Sequence, residues 1–328
     1  MSALGFPLSL HPLDPSFVGP KPIEEAPDSV FHQLEADGDL IIERKRNGHA
    51  SYITATGQGR QEIGIYSRGI HVLTDKFPAL VDELRSLNIP SDTLLAGELL
   101  VEVDGVDDLG AFGSIAQSKP ARAIELQSKR SVILALYNVF VMKGRGVIQL
   151  PYQDRLDMVR EIVAKRATNA VRVVEVLDSP FDTARVRVKQ EKWEGLVLYD
   201  KRAGSAYRLN DRPDLPLRPH GCWKWKPYHE GDFVATGWVP STSNRFKGLV
   251  RDLLISQYDP VSRKLVSWGK VGVGLSAAQR KEYADDTLYP MVFEVQFERR
   301  TPNNRLISAH ILRRRTDKAA GECFSPIE

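Results

Sequence analysis

Cysteine is scarce in this sequence, which contains only Cys222 and Cys323 among its 328 residues. Two cysteines cannot build a disulfide framework or, by themselves, a zinc site, so we expect a protein of a reducing cytoplasm. Apolar runs of membrane-spanning length are absent, and the longest one, VILALYNVFVM, suits a buried strand. The N-terminal stretch MSALGFPLSLHPLDP lacks a basic start and is broken by prolines, which argues against a signal peptide. We therefore expect no contact with membranes.

The composition is that of an ordinary globular protein, with 42% hydrophobic and 27% charged residues. A chain of this length predicts two domains, one large and one small. The net charge of +3 is unevenly distributed: residues 221–328 carry 17 Lys and Arg against 12 Asp and Glu, whereas residues 1–220 carry 28 against 30. The C-terminal part is therefore the better candidate for contact with a polyanion, although a solvated basic face would give the same balance.

The first two segments of the chain differ in their patterns. Residues 1–30 are rich in proline and predict an irregular lead-in. In residues 31–229, strand-like runs alternate with a few helical patterns. The predicted strands are TLLAGELLVEV, SVILALYNVFV, VRVVEVL and GLVLYD, and the predicted helices are FPALVDELRSL and YQDRLDMVREIVAK. Helices are too few for a doubly wound parallel sheet, so we predict an α+β domain of antiparallel sheets flanked by helices.

Residues 230–328 follow a third pattern, in which short strands alternate with turns. About five strands in roughly 100 residues predict a small β-barrel, and an OB-fold is the natural match in size. The predicted strands are DFVATGWV, VRDLLISQYDP, KLVSWGKVGVG, MVFEVQFERR and LISAHILRRR, with one helical pattern, SAAQRKEYADDTL.

Charged residues interrupt the predicted strands of the larger domain at five places. They are Glu43 with Lys45, Arg68, Glu98, Glu194, and Lys224 with Lys226. Because residues two apart in a strand share a face, Glu43 and Lys45 should point the same way, and Lys224 and Lys226 should point away from the two intervening tryptophans. Each place alone has an ordinary structural explanation, such as a strand end, a turn or a solvated face. If the strands surround one cleft, they form a balanced charged site, in which cations suit a polyphosphate and carboxylates suit ribose hydroxyls and a divalent metal.

The order of these segments resembles the motifs of the covalent nucleotidyltransferases, which include ATP-dependent DNA ligases, RNA ligases and mRNA capping enzymes. The matching segments are ERKRNG, IYSRG, AGELLVE, LALYNVF, WEGLVLY and WKWKP. The tail LVSWGKVGVGLS, followed by FEVQFERRTPNNRLISAHILRRRTDK, resembles the OB domain of ATP-dependent DNA ligases, with an R-x-D-K motif at Arg315, Asp317 and Lys318. The resemblance covers roughly residues 30–328 and is closest to a minimal DNA ligase.

This resemblance implies a role for each matched residue. Lys45 would attack the α-phosphate of ATP, and Lys224 and Lys226 would contact that phosphate. Among the nucleotide-binding residues, Glu43 belongs to the nucleophile's motif, Arg68 and Glu98 would hold the ribose, and Tyr137 would lie against adenine. Glu98 and Glu194 would bind Mg²⁺ (or Mn²⁺). Arg315 and Lys318 would orient the pyrophosphate leaving group.

One residue departs from the family pattern. DNA ligases usually carry K-x-D-G at the nucleophile, and this sequence has Asn47 at the position of the aspartate. The departure keeps an RNA ligase or a capping-type enzyme open as an alternative. A module that only binds nucleic acid through its basic OB domain is disfavoured, because the charged motif residues are all present.

The DNA-ligase resemblance also implies nicked duplex DNA as the partner, a monomeric state, and a cytoplasmic location, either at the nucleoid or in the host cytoplasm of a phage. The basic residues of SNRFKGLVRD and FERRTPNNRL are candidates for phosphate contacts that do not depend on DNA sequence. They are Arg245, Lys247, Arg251, Arg299, Arg300 and Arg305.

Overall fold

The computed structural model describes residues 23–57, 61–201, 207–208, 218–301 and 303–326. The chain forms two compact units, Met1–Lys226 and Pro227–Glu328, so the division falls three residues before the expected boundary at residue 229. Of the expected irregular lead-in, residues 1–22 lie outside the described part. Its end is helical, since α1 (Asp28–Ala36) follows Pro27 and buries Phe31 and Leu34.

The larger unit contains a mainly antiparallel sheet in the order β3-β2-β4-β6-β7, to which β5 and β8 are attached. Its strands are β2 (His49–Thr56), β3 (Glu62–Ser67), β4 (Thr93–Val103), β5 (Val106–Asp107), β6 (Val132–Met142), β7 (Arg145–Gly146) and β8 (Val171–Val173). The bounds of β4 coincide with the predicted strand TLLAGELLVEV. Only three residues of VRVVEVL form a strand, and β8 pairs in parallel with β6. This exception to the expected antiparallel pairing arises because a helix crosses over between the two strands.

A second sheet of three antiparallel strands has the order β1-β9-β12. Its strands are β1 (Leu40–Lys45), β9 (Gly195–Asp200) and β12 (Cys222–Trp225), and a separate two-residue ladder joins β10 (Tyr207–Arg208) to β11 (Arg218–Pro219). Since β9 lies between β1 and β12, it brings the ends of two strands that are distant in sequence next to each other. Both ends carry lysines, which this arrangement places at one site.

Helices flank these sheets, as expected for an α+β domain. They are α2 (Pro78–Ser86), α3 (Leu109–Gln117), α4 (Pro120–Gln127), α5 (Tyr152–Val163) and α6 (Phe181–Gln190). The two predicted helices are confirmed as α2 and α5, which bury Leu80 and Leu84 and Leu156, Val159 and Ile162, respectively. The short helices α1, α3, α4 and α6 have no counterpart among the predictions. No helix of the described residues is long and apolar enough to cross a membrane.

The smaller unit is a five-stranded antiparallel sheet in the order β15-β14-β13-β16-β19. Its strands are β13 (His229–Pro240), β14 (Val250–Tyr258), β15 (Leu265–Val271), β16 (Met291–Phe297) and β19 (His310–Arg314), with a small ladder of β17 (Arg299–Arg300) and β18 (Leu306–Ile307). The helix α7 (Ala277–Glu282) begins at a capping box formed by Ser276 and Gln279. Ile311 donates a hydrogen bond to the carbonyl of Val273, just after β15, so backbone contact also joins the two edge strands. Five strands joined at their edges are what an OB barrel requires.

Candidate functional site

A cavity of about 610 Å³ opens in the larger unit. This volume lies within the range of small-molecule sites in proteins. All eight residues that the sequence assigned to nucleotide binding or catalysis in this unit line the cavity: Glu43, Lys45, Arg68, Glu98, Tyr137, Glu194, Lys224 and Lys226. Residues from both sheets contribute, so the cavity is a cleft between them.

Glu194 is the centre of the charged group in this cavity. Its Oε2 accepts a hydrogen bond of 2.6 Å from Lys45 Nζ, and its Oε1 lies 2.9 Å from Lys226 Nζ. Lys45 is the last residue of β1 and pairs with Gly195 across the ladder. The strand pairing therefore places the carboxylate of Glu194 between two ammonium groups that are 181 residues apart in sequence.

Gly195 is required for this approach. A Cβ at this position would lie 2.1 Å from the carbonyl oxygen of Trp225, so only glycine lets the chain after β12 pass close to β9. On the opposite face of β12, Trp223 packs edge-on against Phe31, and Trp225 packs edge-on against Phe181. The tryptophans thus hold the strand against the core while the lysines face the cavity, as the alternation predicted.

Lys224 and Arg68 lie elsewhere on the cavity wall. Lys224 Nζ is 3.7 Å from Glu25 Oε1, a longer ionic contact than that of Lys226. Arg68 directly follows β3 and is exposed. Both cations are therefore accessible to an anionic ligand.

Glu98 lies on β4 and accepts a hydrogen bond of 3.1 Å from the backbone amide of Gly48. Burial raises the pKa of Glu98 to about 7, while the positive charge of Lys45 lowers this pKa and the negative charge of Glu194 raises it. Near neutral pH this carboxyl group is therefore partly protonated. Either form can hydrogen-bond a ligand hydroxyl.

Glu43 occupies the buried floor of the cavity, on the same side of β1 as Lys45. It is hydrogen-bonded to the hydroxyl of Tyr152 on α5, and the ring of Tyr152 stacks on that of Tyr199 with centroids 3.6 Å apart. Burial raises the pKa of Glu43 to about 8, although the hydrogen bond from Tyr152 lowers it. Glu43 is therefore mainly uncharged at neutral pH. Tyr152 was missed by the sequence reasoning, which assigned α5 only to the core.

The carboxylates fit a magnesium ion that relies on its substrate for further ligands. No group of three or more His, Cys, Asp or Glu side chains that could hold a metal occurs among the described residues. Glu98 and Glu194 supply two carboxylates to the same cavity. Magnesium commonly binds through one or two carboxylates together with water and substrate phosphates, so this donor set is sufficient.

The R-x-D-K residues of the smaller unit are held by Asp232 at the start of β13. Arg315 Nη1 lies 3.0 Å from Asp232 Oδ1, and Lys318 Nζ lies 2.7 Å from Asp232 Oδ2. Arg315 also forms a two-pronged pair with Asp317, both contacts being 2.8 Å. The hydrogen bond from Arg315 lowers the pKa of Asp317 to about 2. The sequence reasoning did not single out Asp232, which is 83 residues from Arg315.

The six predicted DNA-contacting cations differ in their surroundings. Arg245, Lys247, Arg299 and Arg305 are exposed, and Arg251 is exposed but ion-paired with Asp252 at 2.8 Å. Arg300 is half-buried, and its guanidinium lies 4.2 Å from the ring centre of Trp268 and 5.3 Å from that of Phe297. Arg300 therefore packs against the core of the smaller unit rather than projecting into solvent like the others.

Several known proteins are similar to this chain. Residues 23–215 match the family described as "ATP dependent DNA ligase domain". "DNA ligase 1" of Methanosarcina barkeri is 25% identical over 304 residues, which cover 86% of this chain and 52% of that protein. "Probable DNA ligase" of Saccharopolyspora erythraea is 27% identical, with 96% of this chain and 61% of that protein covered. The chain thus spans about half the length of the curated relatives it matches.

Solved structures share the fold. A Lig E DNA ligase superposes with a TM-score of 0.63 at 17% identity, covering 90% of this chain and 99% of that one. The ligase domain of Mycobacterium tuberculosis LigD gives a TM-score of 0.51 at 19% identity, covering 96% and 100%. At these identities the likeness concerns the fold, and it extends over nearly all of both chains.

Proposed function

The chain belongs to the ATP-dependent DNA ligase family, and we propose that it seals nicks between a 5′-phosphate and a 3′-hydroxyl in duplex DNA. The observation that carries the proposal is the position of Lys45. Its amine contacts Glu194 at 2.6 Å inside a cavity that also holds Lys224, Lys226 and Glu98. A lysine with phosphate-binding cations and carboxylates around it is suited to attack a nucleotide phosphate.

In the first step, Lys45 forms a bond from its nitrogen to the α-phosphorus of ATP. The bond from this phosphorus to the oxygen bridging to the β-phosphate breaks, and pyrophosphate leaves. An ordinary lysine amine is protonated at neutral pH, so it must lose a proton before it attacks. The positive charges of Lys224, Lys226 and the metal ion would favour release of that proton to water, while Glu194 Oε2, at 2.6 Å, orients the amine. Lys226 and Lys224 are placed to stabilise the charge that builds up on the phosphate oxygens.

The other cavity residues would bind the rest of the nucleotide. Tyr137 and Glu43 would contact the base, and Arg68 and Glu98 would hold the ribose. A magnesium or manganese ion held by Glu98 and Glu194 would supply further charge neutralisation at the phosphates. Arg315 and Lys318 of the smaller unit would orient the pyrophosphate, for which they must exchange their contacts with Asp232.

In the second step, AMP passes from Lys45 to the 5′-phosphate of the nick, and in the third the 3′-hydroxyl attacks that phosphate and AMP leaves. We propose that the chain acts as a monomer that holds DNA through exposed cations of the smaller unit, which we propose to be an OB domain.

The decisive experiment is incubation with α-labelled ATP and Mg²⁺, followed by denaturing electrophoresis. We expect covalent label on the wild-type protein and on Lys189→Ala, a control at an exposed lysine of α6, and no label on Lys45→Ala. Lys45→Ala should still seal a nick that already carries 5′-AMP. Label on Lys45→Ala would show that another residue is the nucleophile, and absence of label on the wild type would refute the proposed chemistry.

Asn47 favours a second candidate, an RNA ligase or a capping-type guanylyltransferase, because it replaces the aspartate usual in DNA ligases. Labelling with GTP instead of ATP would identify a capping-type activity. Sealing of nicks with RNA strands in preference to DNA strands would identify an RNA ligase.

A further inference from the structure

The turn between β1 and β2 is held by carboxylates at two successive backbone amides. The amide of Asn47 donates to Asp107 Oδ2 at 2.7 Å, and the amide of Gly48 donates to Glu98 Oε1 at 3.1 Å. This turn begins directly after Lys45, so whatever fixes it also fixes the end of the strand from which Lys45 projects.

Asp107 also binds the side chains on both sides of Lys45. Its Oδ1 accepts from Arg44 Nη2 at 3.1 Å and lies 2.7 Å from Arg46 Nη2. Arg44 on β1 and Arg46 at the start of the turn thus contact the same carboxylate from either side of Lys45 in the sequence. The side chain of Asp107 is only 5% exposed, and that of Arg44 6%. One buried carboxylate thus binds the side chains of Arg44 and Arg46 and the backbone amide of Asn47.

The other side of the turn packs tightly against the larger sheet. A Cβ at Gly48 would lie 2.1 Å from the carbonyl oxygen of Leu99 on β4, so the turn already touches the larger sheet. Glu102 completes the group of charges by pairing with Arg46, and its Oε2 lies 3.9 Å from Arg44 Nη1. Glu102 makes no hydrogen bond to the turn amides among the described contacts. It balances the charge of the arginines, whereas Asp107 also holds the backbone.

We propose that Asp107 is a positioning residue for Lys45, which keeps the turn after β1 in the place where the amine reaches the α-phosphate. The inference rests on the proposed role of Lys45 as nucleophile. The usual K-x-D-G motif carries an aspartate in this turn, where this chain has Asn47. Asn47 contributes its backbone amide, and Asp107 on β5 supplies a carboxylate beside the turn. The loss of that aspartate is thereby offset in this chain.

The proposal predicts that a change at Asp107 slows the first ligation step but not the third. Displacing the turn moves Lys45 and slows its attack on ATP, and a shift of about 1 Å at a reacting group can cost about 100-fold in rate. Sealing of a nick that already carries 5′-AMP needs no attack by Lys45. A purely structural role for Asp107 would instead lower both activities together, because both depend on the folded domain.

The experiment compares the wild type with Asp107→Glu, Asp107→Ala and the matched control Glu102→Gln. Asp107→Glu keeps the charge against Arg44 and Arg46 but lengthens the side chain by one methylene, so it shifts the turn without removing the buried anion. Glu102→Gln removes one negative charge from the same arginines and leaves the amide contact in place. Each protein is tested for single-turnover labelling at saturating ATP, for ATP affinity, and for sealing of the pre-adenylated nick.

We expect labelling rates at least tenfold below wild type for Asp107→Glu and Asp107→Ala, with ATP affinity and pre-adenylated sealing within about threefold of wild type. Glu102→Gln should label within about threefold of wild type. Normal labelling by Asp107→Glu, or an equal fall in both steps, would overturn the inference even if Asp107→Ala fails to fold. If the wild type itself takes no label, the proposed function fails, and the inference fails with it.

Discussion

Removal of Arg245 and Lys247 together should weaken DNA binding in a way that depends strongly on salt. Both side chains are exposed, with Arg245 lying 5.1 Å from the ring of Phe246, and each would release about one counterion on contact with a phosphate. Losing two contacts should reduce the slope of log affinity against log salt by about 1.8. Over a fourfold change in salt, the affinity deficit of Arg245→Ala/Lys247→Ala should therefore differ by about 12-fold, being larger at low salt.

Arg251 should add less to this slope than its two neighbours. Its guanidinium is paired with Asp252 at 2.8 Å, so contact with a phosphate requires that this pair be broken or shared. Adding Arg251→Ala to the double variant should lower the slope by less than the value of about 0.9 expected for a free cation. Arg300→Ala should instead lower thermal stability, because its guanidinium packs on Trp268.

The assay is fluorescence anisotropy on a labelled nicked duplex with a 3′-dideoxy end, from about 50 to about 200 mM salt, the range in which such slopes are large. The matched control is Lys264→Ala/Lys281→Ala, which removes two exposed lysines of the same unit outside the two predicted segments. Self-adenylation should be unchanged in all of these proteins. An unchanged slope for Arg245→Ala/Lys247→Ala, or an equal reduction in the control, would refute the assignment of this segment to DNA binding.

Three further predictions concern the two units. Asp232→Asn should slow self-adenylation less than Arg315→Ala/Lys318→Ala does, because Asp232 holds these cations but does not meet the nucleotide; equal losses measured with labelled ATP would contradict this order. A protein ending at Tyr228 should remain soluble but take up labelled AMP slowly, since it lacks Arg315 and Lys318, and labelling at the full rate would exclude a role for the smaller unit in that step. Thermal stability should fall as pH rises from about 4.5 to about 8. Over this range the folded protein retains protons on Glu98 and Glu43 (pKa about 7 and about 8) that the unfolded chain has released. The melting temperature of Glu43→Gln relative to wild type should therefore rise with pH, and a constant difference would show that Glu43 titrates normally.

Strand alternation in the sequence was sufficient to predict which side chains share a face. It placed Lys224 and Lys226 opposite Trp223 and Trp225, and the structure has this arrangement because the tryptophan face packs on Phe31 and Phe181. The motif order then predicted which strands meet at one cavity. The strand β4 was predicted to the residue, because Glu98 is the only charged residue in the otherwise apolar run from Leu94 to Val101.

Contacts between elements distant in sequence could not be predicted in this way. Tyr152 is 109 residues from Glu43, and its helical pattern gives no sign that its hydroxyl reaches β1. Asp107 lies in a two-residue strand with no periodic pattern, so its hydrogen bond to the turn after Lys45 could not be predicted from the sequence. The packing of Arg300 on Trp268 likewise depends on the tertiary fold of the smaller unit. Local patterns give the faces of strands and helices, but tertiary pairing decides which charges are neutralised.

The charge balance of the cavity illustrates this limit. Counted from the sequence, the cations Lys45, Lys224, Lys226 and Arg68 face three carboxyl groups, a site that looks nearly balanced. The structure changes the count, because burial raises the pKa of Glu43 to about 8 and that of Glu98 to about 7, so near pH 7 these two carry much less than their full negative charge. Glu194 is then the main anion among four cations and is already shared by two of them. These seven side chains together therefore carry a positive surplus before any ligand enters. A polyphosphate with its metal ion supplies the missing negative charge, and this electrostatic demand favours a nucleoside triphosphate over an uncharged nucleoside.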